Sequence, residues 1–145
     1  MTQDDKELLM KDLCGRLPYG VKAAFFNEDL TYHSEPKTLT GIECINNLNY
    51  SRLEDEDGNT TIVEFVKPYL FPLSSMTEEQ KTEYYDIVNY ISPDDTENWA
   101  EGEFIYVDRE NYFAALLHFY NKHHLDYRGL IPKGLALDAT GLNIY

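Results

Sequence analysis

The chain has 145 residues, with 26 acidic and 12 basic side chains and a formal net charge of −14. This length corresponds to one domain, and an apolar share of 43% is too high for a disordered chain. Because a strongly negative field repels phosphate and anionic lipid, we expect neither direct nucleic-acid binding nor attachment to a membrane.

The N-terminal residues and the two cysteines both bear on the cellular compartment. The chain starts Met-Thr-Gln-Asp-Asp, without the basic and apolar segments of a secretory signal, and it has no apolar run long enough to span a membrane. These features predict a cytoplasmic protein in which Cys14 and Cys44 are reduced. Unpaired cysteine is among the most often buried residue types, so we expect both thiols in the core.

The first half of the chain predicts a helix and then several strands. Residues 1–17 place Leu and Met at helical spacing, and Thr2 with Asp5 has the spacing of a capping box. Residues 20–72 alternate short apolar segments with tight turns, including a hairpin around the acidic turn 54–59. The predicted strands cover residues 21–26, 30–33, 38–45, 50–53 and 60–63.

Short strands joined by tight turns favour a small, curled antiparallel sheet, of which an SH3-like barrel is one arrangement. The apolar segment 65–72 contains Pro68 and Pro72. Because proline lacks a backbone donor, we expect this segment to connect elements and not to form a central strand.

The helical part of the chain is predicted at residues 75–125, with an acidic insert at 92–107. Thr77 and Gln80 have the spacing of a capping box at the start of its first helix, and Ser75 with Glu78 is the alternative pair. Within the insert, residues 104–107 have the pattern of a short strand.

A second helix is predicted to follow the insert, with Asp108 as its N-cap. It is apolar over a wide arc, so we expect it to be the central helix of the core. Residues 126–145 are rich in Leu and Ile, which predicts a C-terminal segment docked on the domain. The whole pattern indicates a single α+β domain with about three helices.

Three longer stretches carry a resemblance to other proteins: LCGRLPYGVK at 13–22, VKPYLFPLSSMT at 66–77 and DYRGLIPKGLAL at 126–137. They resemble an uncharacterised family of small acidic proteins encoded by gut bacteria and their prophages or other mobile elements. The resemblance implies a cytoplasmic, phage-related or mobile-element protein. The family has no assigned activity, so it supplies no catalytic or binding residues.

The residue types used in catalysis and metal binding do not have the spacings that such sites need. His118 and His123 are five residues apart and do not share a helix face. The turn 54–59 lacks the register of a calcium loop, and the stretch 129–134 is not followed by the Lys-Ser/Thr of a phosphate loop. We therefore predict no cofactor, no metal and no enzymatic activity, with a small hydrolase using paired carboxylates as the enzymatic alternative.

The strongest candidate for a binding surface is the stretch 92–110, which contains seven acids and one base with aromatic residues between them. One interpretation is a solvated loop whose aromatic residues hold it to the core, and the other is a surface for a partner. The candidate partner-binding residues are Asp94, Asp95, Glu97, Trp99, Glu101, Glu103, Tyr106 and Asp108.

Charge and tyrosine content together favour a non-catalytic protein-interaction module that binds another protein. The chain has 12 tyrosines, and tyrosine is enriched at interfaces because it buries a large area at low entropic cost. A sharper alternative is an acidic nucleic-acid mimic that inhibits a DNA- or RNA-handling protein. The identity of the partner and the oligomeric state stay open.

Overall fold

The computed structural model describes residues 1–45, 50–89 and 102–145, and the side chains of all of these except 45, 50, 89 and 102–111. Within these ranges, three helices and a six-stranded mixed sheet confirm the predicted α+β class. The helices are α1 (Gln3–Arg16), α2 (Glu78–Asn89) and α3 (Gly102–Lys122). The strands are β1 (Lys22–Phe25), β2 (Lys37–Ile45), β3 (Tyr50–Asp55), β4 (Thr60–Thr61), β5 (Val66–Leu70) and β6 (Leu137–Asp138).

The sheet has the strand order β4-β3-β2-β1-β5-β6. Strands β1 to β4 form an antiparallel meander, and after a 3₁₀ turn at Val63–Phe65 strand β5 returns to pair antiparallel with β1. The C-terminal segment contributes β6, which pairs in parallel with β5 and makes the sheet mixed.

Helix α1 covers one side of the sheet, which we call the first face. The Thr2 hydroxyl accepts a hydrogen bond from the Asp5 amide at 3.1 Å, and the Asp5 carboxylate accepts one from the Thr2 amide, so the predicted capping box is present. Leu9, Met10 and Leu13 of α1 are buried against residues of the strands and of the C-terminal segment. The strand and C-terminal residues in this core are Val21, Ala23, Leu39, Leu53, Val63, Val66, Leu70, Leu130, Leu135 and Ala136.

The prediction that residues 65–72 only connect elements is wrong, because β5 lies inside the sheet and contains Pro68. The Phe25 amide and carbonyl bond to Ser34, on the β2 side of β1. Because neighbouring strand residues direct their backbone groups to opposite sides, Ala24 and its partner Lys67 face each other. The nitrogen of Pro68 therefore faces away from β1, at a position that β6 does not reach.

Helix α3 begins earlier and lies nearer the surface than the sequence predicts. It starts at Gly102, so the expectations of a strand at 104–107 and of an N-cap at Asp108 are wrong. Phe113 and Leu117 are 58% and 44% exposed, whereas Phe119 is fully buried. Helix α1, and not α3, is thus the central helix of the core.

Two further expectations differ from the structure. The segment 30–33 forms only an isolated bridge between Phe26 and His33 instead of a return strand. Cys14 and Cys44 are exposed, so the expectation that both thiols lie in the core is wrong. Leu130, Leu135 and Ala139 are buried, and the C-terminal segment to which they belong packs on the domain.

Candidate functional site

The acidic surface predicted from the sequence falls largely outside the described part of the chain. This holds for Asp94, Asp95, Glu97, Trp99 and Glu101. Glu103, Tyr106 and Asp108 lie on α3, where the structure describes the backbone only. The interpretation of this stretch as a binding surface therefore stays a prediction.

The other side of the sheet, which we call the second face, carries a smaller apolar core than the first. Its buried residues are Ala24, Tyr69 and Ala139. Partly buried side chains pack around them: Phe26, Phe71, Leu137 and Ile144. The second face is thus covered in part by the end of the C-terminal segment.

Tyr145 fastens this segment to the sheet. Its hydroxyl accepts a hydrogen bond from the Lys22 amide and donates one to the Tyr69 carbonyl, both at 2.8 Å. Its ring stacks on His124 with 3.6 Å between the ring centres. Burial raises the pKa of the Tyr145 hydroxyl to about 12, so this group keeps its proton at neutral pH.

A groove of about 530 Å³ lies between the C-terminal segment and the turn that follows β1. It falls within the size range of small-ligand and peptide pockets. It is lined by side chains of β5, of β6, of the turn and of the last residues of the chain. These are His33, Pro36, Tyr69, Leu137, Asp138, Leu142 and Ile144. The groove is therefore a mainly apolar surface whose two walls come from distant parts of the sequence.

The turn wall, residues 27–36, is held in shape by its own side chains. The Asp29 carboxylate accepts hydrogen bonds from the Thr31 hydroxyl at 2.6 Å and the Thr31 amide at 3.3 Å. Asn27 accepts one from the Tyr32 amide at 2.8 Å. Leu30 has a φ of +60°, a conformation that a residue with a branched side chain adopts only where its surroundings impose it. The conformation of the turn is thus held by hydrogen bonds within the turn itself.

Large apolar side chains are exposed on the turn and on the C-terminal segment. Leu30 and Tyr32 of the turn are 52% and 72% exposed, and Leu142 of the C-terminal segment is 54% exposed. Single exposed apolar residues are ordinary, but a group beside an apolar groove is typical of an interaction site. The sequence analysis missed this group, although Leu and Tyr inside an otherwise polar turn gave a signal for it.

A second cluster, of buried charges, joins α1 to the chain that follows α3. Asp12 and Arg16 are both fully buried, with 2.7 Å between the Asp12 Oδ2 and Arg16 Nε atoms. Arg16 also donates to the Leu125 carbonyl at 2.7 Å, and Arg128 Nε lies 3.4 Å from Asp12 Oδ1. Burial raises the pKa of Asp12, and the two arginines oppose this rise.

Asp12 and Arg16 are closed to solvent, Arg128 is partly exposed, and the cluster holds elements together. The Asp126 carboxylate accepts hydrogen bonds from the Leu130 and Ile131 amides, each at 2.8 Å, and so fixes the turn next to Arg128. The cluster draws its residues from the stretches 13–22 and 126–137, together with Asp12 of α1. The spacing of Asp12 and Arg16 on α1 was the signal that could have revealed it.

The histidines of the helices have ordinary partners. The Tyr19 hydroxyl lies 2.7 Å from His118 Nδ1, and the Glu83 carboxylate lies 2.8 Å from His123 Nε2. Among the described residues, no three His, Cys, Asp or Glu side chains are grouped closely enough to hold a metal ion. None of the helices in the described ranges is both long and apolar enough to cross a membrane.

Comparisons with protein-family models, with curated proteins and with solved structures found no match. Inferences about function therefore rest on the geometry of the second face and its groove.

Proposed function

We propose that the protein is a non-catalytic, cytoplasmic protein-interaction module that binds its partner in the groove on the second face. The observation that carries this proposal is an apolar groove whose lining includes the exposed Leu142, next to a turn on which Leu30 and Tyr32 are also exposed. Burying such side chains in a complex contributes about 1.5–3 kcal/mol each before the cost of association. A phage or mobile-element origin, as the resemblance implies, stays a prediction.

The polar groups that line the groove support binding more than chemistry. His33 Nδ1 lies 2.8 Å from the Ser34 carbonyl, and the Asp138 carboxylate accepts a hydrogen bond from the Thr140 amide at 2.8 Å. Each group thus has one atom bonded within its own turn. A rigid turn also lowers the entropy lost on binding, which favours a recognition surface.

Selection of displayed peptides on the immobilised protein tests this proposal. We expect a library of random peptides to yield binders whose affinity falls at least about tenfold in the variant Tyr32→Ser/Leu142→Ser, a loss of about 1.4 kcal/mol or more. The matched control is Tyr85→Ser/Phe113→Ser, which removes exposed aromatic residues from α2 and α3 outside the groove.

The control variant should bind the selected peptides as tightly as the parent protein. The proposal is wrong if no peptide is enriched, or if the selected peptides keep their affinity for the groove variant. Circular dichroism of both variants shows whether the fold is retained.

A further inference from the structure

Acidic side chains outnumber basic ones near the groove. Asp138 lines it, and the turn that supplies His33 and Pro36 to the lining also carries Glu28, Asp29 and Glu35, all four with exposed side chains. Two lysines lie on the same sheet face: Lys67, whose ammonium is 5.5 Å from the centre of the Phe26 ring, and Lys22, two residues before Ala24 on β1. The apolar groove thus has a carboxylate in its lining and three more on the adjoining turn.

Two of these carboxylates accept hydrogen bonds from within their own turns. The bonds from Thr31 lower the pKa of Asp29, and those from Thr140 lower the pKa of Asp138. The same bonds orient the two carboxylates, one on the turn and one in the lining of the groove.

The shape of the groove limits what can enter it. Tyr69 and Leu137 of the sheet line it together with residues of a tight turn and of a short C-terminal segment. A volume of about 530 Å³ accommodates a few side chains and not a folded domain. A short, extended stretch of chain places such side chains side by side.

We infer that the groove binds a short, extended peptide whose apolar side chains are flanked by lysine or arginine. This inference rests on the proposed function and names its ligand class. Leu and Tyr side chains of the peptide fill the groove beside Leu142, and its cations lie against Glu28 and Glu35 on the rim. Rim charges of this kind add selectivity and association rate more than affinity, and salt screens them.

Two displayed libraries test the inference. They share a random six-residue centre and differ only in the residues at both ends, which are Lys-Lys in one library and Glu-Glu in the other. We expect enrichment from the lysine library, and a loss of about tenfold or more when an enriched peptide is synthesised with Glu-Glu ends. Binding of the lysine peptides should weaken between 50 and 500 mM NaCl.

The general negative charge of the protein attracts any cationic peptide, so a matched pair of variants is needed. Glu28→Gln/Glu35→Gln removes two charges from the rim, and Glu78→Gln/Glu79→Gln removes two from the start of α2. We expect the rim variant to lose several-fold in affinity for the lysine peptides and the α2 variant to lose much less.

The outcomes separate this inference from the proposed function. Equal binding of lysine- and glutamate-flanked peptides, weakened alike by Leu142→Ser, overturns the inference and leaves the groove as the binding site. The inference is also overturned if the rim variant and the α2 variant lose the same affinity for the lysine peptides. If neither library yields a peptide that depends on Leu142, the proposed function fails together with the inference.

Discussion

The two faces of the sheet differ in how completely they are covered. On the first face, Leu9 and Leu13 of α1 and Leu70 of β5 are fully buried. On the second face, the C-terminal segment covers only part of the surface, and Leu142 is 54% exposed. The difference indicates that the fold is stabilised mainly through the first face.

The largest expected effect comes from the buried ion pair of Asp12 and Arg16 on α1, the helix that covers the first face. Arg16→Met leaves the Asp12 carboxylate without its main partner and the Leu125 carbonyl without its donor. We expect a loss of about 3–5 kcal/mol in the free energy of unfolding, because the buried Asp12 charge keeps only the more distant Arg128 as a partner. Urea denaturation followed by circular dichroism measures this loss.

The double variant Asp12→Leu/Arg16→Met is the control for that experiment. It removes both charges, so we expect it to be more stable than Arg16→Met alone. If the free energy of unfolding of Arg16→Met lies within about 1 kcal/mol of that of the parent, the ion pair contributes little to stability.

A matched pair of leucine substitutions compares the faces directly. Leu13→Ala opens a cavity in the core of the first face, and we expect it to cost about 2–5 kcal/mol. Leu142→Ala, on the wall of the groove, should change stability by only about 0.5 kcal/mol. The same denaturation curves test both, and equal losses would contradict the assignment of the second face to binding.

The last expected effect is a dependence of stability on pH at His124, which stacks on Tyr145. Burial and the nearby Arg16 lower the pKa of His124 from 6.5 to about 4. The unfolded chain therefore binds a proton that the folded protein does not, and stability falls as pH decreases from about 6.5 towards 4. The slope reaches at most about 1.4 kcal/mol per pH unit.

His124→Gln isolates this contribution, since Asp12, with its raised pKa, acts in the opposite direction. We expect the difference in stability between parent and variant to shrink as pH falls through this window. A difference that stays constant from pH 7 to pH 4.5 would mean that His124 does not titrate in this way.

Local signals in the sequence predicted much of the secondary structure. The capping pairs Thr2–Asp5 and Thr77–Gln80 mark the starts of α1 and α2, and both pairs form the expected hydrogen bonds. The hairpin around residues 54–59 also follows from its turn. These features depend on contacts between residues a few positions apart, which a linear sequence displays.

The errors occur where distant residues decide the outcome. Pro68 fits inside the sheet because β6 does not reach its nitrogen, a fact set by a strand almost 70 residues away. The apolar arc of α3 indicated a core helix, yet Phe113 and Leu117 are exposed. A periodic pattern shows that a face is apolar and does not show what packs against it.

The sequence by itself determined the α+β class, the helix starts, the hairpin and the strong negative charge, because propensity, capping and composition are local or additive. Only the tertiary structure decided that α1 is the central helix and that the second face bears a groove. The groove brings residues 33 and 36 beside residues 137–144, and its rim charges come from both. Such a site exists only when the chain is folded, because no local pattern specifies the pairing of segments about 100 residues apart.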